Sequence, residues 1–116
     1  MDAADLLAWG KAFAFTELVE APIYRALVPT TTARALAASA ITHPFVWFFF
    51  PWAGDLAGAS YVVTSAVSEL FAWGVEAAFF RRADRITWGR AVAASFVANA
   101  ASLGLGLLVR ATLGIV

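Results

Sequence analysis

The sequence predicts an all-α integral membrane protein of four antiparallel transmembrane helices, bundled around a polar, carboxylate-rich interior. Three observations predict it. Hydrophobic residues make up 62% of the chain and charged residues only 14%, against about 25% charged in an ordinary globular protein. Hydropathy marks four segments of about 20 residues, each long enough to cross a bilayer. Each segment also carries one polar stripe on an otherwise apolar surface.

The composition excludes several alternatives. A domain of 116 residues has a large surface relative to its volume, and a mean hydropathy of +0.79 leaves too few polar groups to cover it in water. Disordered chains are polar and poor in aromatics, whereas this one is 15% aromatic. Net charge is zero and no basic tail occurs, so no nucleic-acid partner is expected. The chain lacks cysteine, which removes disulfides, thiolate metal sites and Cys nucleophiles. Asp2 and Asp5 stand where a secretory signal would be basic.

The first span is expected from Leu6 to Val28, ending at Pro29-Thr30-Thr31-Thr32. At 100° per residue, Phe13, Glu17, Glu20 and Tyr24 share one face of it. The second runs from Ala35 to Trp52, with Ser39, His43 and Trp47 on one face, and Pro51-Trp52-Ala53-Gly54-Asp55 reads as the following loop. The third runs from Ser60 to Phe80, carries Ser65, Glu69, Trp73 and Glu76, and is closed by Arg81-Arg82-Ala83-Asp84-Arg85. The fourth runs from Ala91 to Arg110, with Ser95, Asn99, Ser102 and Gly106 aligned. Ala94, Ala98 and Ser102 form a small-residue ridge suited to close helix contact, within the bundle or between copies. Pro22 and Pro44 lie inside spans and each removes a backbone hydrogen bond, so a kink is expected at each. The whole chain forms one domain, 1–116.

Arginine placement sets the orientation. Arg25, Arg34, Arg81, Arg82, Arg85 and Arg90 flank the first and third loops, and only Lys11 and Arg110 lie toward the other side. The first and third loops are therefore expected in the cytoplasm and both termini outside it, in a bacterial inner membrane. Trp9, Trp52, Tyr61 and Trp88 read as interfacial anchors.

The functional reading rests on the ionisable residues within the spans. One carboxylate at the bilayer centre costs about 3 kcal/mol on insertion scales, so Glu17, Glu20, Glu69 and Glu76 require compensation. Lys11 is about 9 Å outward of Glu17 along the helix and faces elsewhere. His43 is the one internal base. The carboxyls are therefore either protonated or paired with a bound cation, and both solutions point to ion handling. A third solution is purely structural, with neutral acids donating to carbonyls freed by Pro22 and Pro44.

The site residues expected are Glu17, Glu20, His43 and Glu69, binding a proton or a divalent metal ion, with Tyr24, Glu76, Asn99, Ser95 and Ser102 supporting it or giving access. Depth ordering places Glu17, His43, Glu69 and Asn99 at one level. It makes Glu76 the cytoplasmic mouth of a vestibule that Phe13, Trp47 and Phe50 seal on the outside. Such a protein would act as, or within, a transporter or channel, in contact with membrane lipid and as a homo-oligomer or a subunit of a larger complex. One competing reading is an accessory subunit in which His43 ligates a haem or pigment. Another is an intramembrane enzyme acting on a lipid, for which no catalytic motif is present.

Overall fold

The computed structural model describes residues 2–113, and all regular structure among them is helical. Helix α1 spans Ala3–Leu27. It starts in a reciprocal capping box, in which the Asp2 side chain accepts from the Asp5 amide at 2.9 Å and the Asp5 side chain accepts from the Asp2 amide at 3.2 Å. Pro22 lies within α1 without ending it. Helix α2 spans Thr32–Pro44, with Thr31 Oγ1 accepting from the Arg34 amide.

The backbone stays helical beyond Pro44. A π-helical turn over Phe45–Phe49 leads directly into α3, Phe50–Ala57. Pro44 lacks the N–H for an i→i−4 bond and its ring crowds the preceding turn, and widening the helix relieves both faults. The expected kink thus takes the form of a π turn. The expected loop at Pro51–Asp55 is helix instead. The rod ends at Gly58, whose φ of +69° supplies the left-handed cap, and the Ala59 amide bonds back to Gly54 O at 2.9 Å. Helix α4 spans Tyr61–Ala83 from a Ser60 cap, and α5 spans Trp88–Leu113.

Four rods close into a ring. α1 packs on α2, α2 on α4, α4 on α5 and α5 on α1, while α3 continues along α4. α4 and α5 are long and apolar enough to cross a membrane. α1 has the length, but Lys11, Glu17 and Glu20 interrupt its apolar run.

Burial is inverted relative to a water-soluble bundle. The interior holds small residues such as Ala35, Ala38, Ala91, Ala94 and Ala98, together with polar ones, while Leu18, Val62 and Leu70 are 76%, 74% and 61% exposed. Small side chains let the rods approach closely, and the Ala94 and Ala98 ridge of α5 is spent inside the bundle. At Gly54 a side-chain carbon would collide with Thr64, so this glycine permits the α3–α4 contact. Larger apolar groups concentrate at the end carrying the first and third loops. There Tyr24, Val28, Phe80 and Ile86 form a plug, and Arg34 pairs with Asp84 at 2.9 Å across it.

Candidate functional site: a carboxyl pair beneath an open cavity

Two glutamates meet in the middle of the ring. Glu76 of α4 is 1% exposed and Glu20 of α1 is 2% exposed. Glu76 Oε1 accepts from Tyr24 Oη at 2.5 Å and from Asn99 Nδ2 at 3.3 Å, and Oε2 accepts from Thr42 Oγ1 at 2.7 Å. Glu20 Oε1 accepts from Ser39 Oγ at 2.7 Å, and Oε2 from Ser102 Oγ at 2.5 Å. The two carboxyls lie close enough to interact electrostatically, and each takes its hydrogen bonds from other side chains. Their donors come from α1, α2 and α5, so this knot ties together all four walls of the ring.

Every one of these side-chain donors is a neutral hydroxyl or amide. The sole ion pair among the described residues is Arg34–Asp84, at the plugged end. Asn99 is itself oriented by Ser95, accepted by its carbonyl at 2.9 Å, and Ser95 Oγ donates to Trp73 O at 2.8 Å. The polar order thus extends from the carboxyls into the backbone of α4 and α5.

A cavity of about 550 Å³ lies against the knot. Glu20, Thr42, Glu76 and Asn99 form its floor, and His43, Ser68 and Glu69 stand along its walls. Asp55, Tyr61 and Arg110 mark its rim, where the chain is exposed. The opening therefore faces the end that carries the second loop. This reverses the expected vestibule: Glu76 is floor rather than mouth, and the first- and third-loop end is shut by the Tyr24–Phe80 plug. The reason is side-chain size. Glycine and serine on α5 and α4 leave space near the second loop, whereas Tyr24 and Phe80, with ring centroids 4.2 Å apart, fill the other half.

His43 is 7% exposed. Its Nδ1 accepts from the Trp9 indole at 2.9 Å, and Phe13 meets it edge-on at 5.3 Å between centroids. Accepting at Nδ1 puts the ring proton of a neutral imidazole on Nε2. Glu69 lines the cavity and has no hydrogen-bond partner among the described residues. Glu17 is half-buried and its Oε1 is sealed without a partner.

The expected ligand set of Glu17, Glu20, His43 and Glu69 is not assembled. Among the described residues no three His, Asp or Glu side chains converge closely enough to hold a metal ion. Glu20 turns to Ser39 and Ser102, His43 is engaged by Trp9, and Glu69 faces open space. Of the residues expected as support, Glu76 is itself one of the carboxyl pair, Tyr24, Asn99 and Ser102 donate to the pair, and Ser95 orients Asn99. Two participants escape sequence reasoning. Thr42 donates to Glu76, and the signal for it was its place one turn after Ser39 on the same side of α2. Trp9, read as an anchor, holds His43, and nothing in the sequence pairs residues 34 apart. Comparison with protein-family models, with curated proteins and with solved structures finds no match.

Proposed function

We propose that this chain is a four-span membrane protein that handles protons at the Glu20–Glu76 pair, as or within a transporter or channel. One observation carries the reading: two adjacent, fully buried carboxyls held only by neutral donors, at the floor of a cavity open to one face. Two full negative charges side by side in a low-dielectric interior repel strongly, and without a cation the pair is held by a proton. Carboxyls at membrane depth are the usual means of passing protons. The donors around the pair suit this role, because hydroxyl groups reorient when a proton arrives or leaves.

The inverted burial and the 38 Å long dimension of the bundle support a spanning arrangement across about 30 Å of hydrocarbon. The arginine bias then puts both termini outside, and the cavity opens outward. The test is flux. Purified protein in liposomes holding a pH-sensitive dye should dissipate an imposed proton gradient. Glu76→Gln and Glu20→Gln should each reduce that rate at least tenfold while the helical content and elution volume stay unchanged. Folded variants that conduct as well as the parent would overturn the reading.

A further inference from the structure

We infer that the cavity binds a small organic ammonium ion that also carries a hydrogen-bond acceptor, held by Glu69 and His43. The inference names the cargo of the proposed transporter and depends on that reading only for the movement, not for the binding.

Charge comes first. Glu20, Glu69, Glu76 and Asp55 line the cavity, and Arg110 at the rim is the one arginine or lysine among its lining residues. An anionic occupant is disfavoured throughout. A metal ion lacks a ligand set among the described residues. Glu20 and Glu76 are saturated by donors from the protein, whereas Glu69 and the exposed rim residue Asp55 are not, so Glu69 is the partly buried carboxylate left for a ligand inside the cavity.

A second observation is independent of the acids. His43 is 93% buried by its 7% exposure, yet only Nδ1 is bonded within the protein. Among the described residues Nε2 has no hydrogen-bond partner, and it is not among the sealed polar atoms, so it keeps accessible surface on a residue that lines the cavity. The Trp9 bond makes that edge an N–H donor. Cavity walls thus present one anionic acceptor and one neutral donor. Phe15, Trp47 and Tyr61 add aromatic surface to the lining, which suits both an apolar body and a cation over a ring face. The volume lies within the range of small-ligand pockets, about 300–1,000 Å³.

Phenylethanolamine, a cation with one hydroxyl, is a direct probe. Phenylethylene glycol has the same shape without the charge, and mandelate reverses it. In detergent solution with no pH gradient, phenylethanolamine should change tryptophan fluorescence saturably, since Trp47 lines the cavity. The glycol should bind at least about tenfold more weakly, as expected for loss of a charge-assisted hydrogen bond, and mandelate should not compete. Glu69→Gln should weaken the amine at least about tenfold and leave the glycol unchanged. Ser65→Phe, which fills the cavity wall, should abolish both.

Absence of saturable amine binding, equal affinity for amine and glycol, or full affinity in folded Glu69→Gln would each overturn the proposal. The comparison of amine with glycol needs no variant, so misfolding of a mutant leaves the test intact. Proton flux without amine binding would sink this inference alone, and amine binding without flux would sink the proton reading alone.

Discussion

The hydroxyl of Tyr24 offers the sharpest test of the polar knot. Its ring is fully buried and packs on Phe80, and its Oη donates to Glu76 Oε1 at 2.5 Å. Tyr24→Phe keeps the ring and removes only that donor, leaving Oε1 with Asn99 at 3.3 Å. A hydrogen bond to a charged group is worth about 1.5–3 kcal/mol, while polar contacts in membrane proteins average about 0.6 and reach about 1.7 kcal/mol. Both side chains are buried and the other contact to Oε1 is long, so the upper end of the membrane range applies. The expected loss is about 1.5 kcal/mol, roughly tenfold in the folding equilibrium. Reversible unfolding in mixed micelles of increasing SDS fraction, followed by tryptophan fluorescence, measures it. Thr42→Val removes the donor to Oε2 of the same carboxyl. The two losses should therefore couple by about 0.5 kcal/mol or more. A Tyr24→Phe protein within about 0.3 kcal/mol of the parent, with no coupling to Thr42→Val, would refute the geometry of the knot.

Further outcomes follow from the same structure. Gly54→Ala drives a side-chain carbon into Thr64 and should destabilise by about 1 kcal/mol, because overpacking exceeds the gain in helix propensity. The loss should disappear in a Thr64→Ala background, as the same unfolding assay would show. In this cysteine-free chain, Ser65→Cys and Ser68→Cys should react with a water-soluble thiol reagent added on the side of the termini, since both line the cavity. Ser95→Cys, at a fully buried position behind the plug, should stay inert from either side, and the opposite labelling pattern would show that the cavity opens the other way. For orientation, an alkaline phosphatase fused at the C-terminus should be active and one fused at Asp84 inactive, with the reverse result placing the arginine-rich loops outside.

Composition and periodicity determined the helical class and the approximate ends of three rods. Apolar runs and their breaks are local properties, and the caps at Thr31, Ser60 and Gly58 are written in neighbouring residues. The same local logic misread Pro51-Trp52-Ala53-Gly54-Asp55 as a loop. A proline there is tolerated in the first turn of α3, directly after the π turn that accommodates Pro44, and a single-residue signal does not reveal that combination. The sequence likewise singles out Glu17, Glu20, Glu69 and Glu76, because the cost expected for a carboxyl within a span belongs to each residue alone.

Which carboxyls meet was a tertiary decision. Spacing along each helix puts Glu69 and Glu76 on one face of α4, but only the rotation and slide of α4 against α1, α2 and α5 brings Glu76, and not Glu69, to Tyr24, Thr42 and Asn99. The direction of the cavity was decided in the same way. Arginine placement speaks to which loops face the cytoplasm. It says nothing about where the interior is filled, and that depends on Tyr24 and Phe80 meeting across the ring while Ser65, Ser68 and Gly106 leave room at the other end. Packing compares volumes from different rods, a quantity absent from any one segment of sequence.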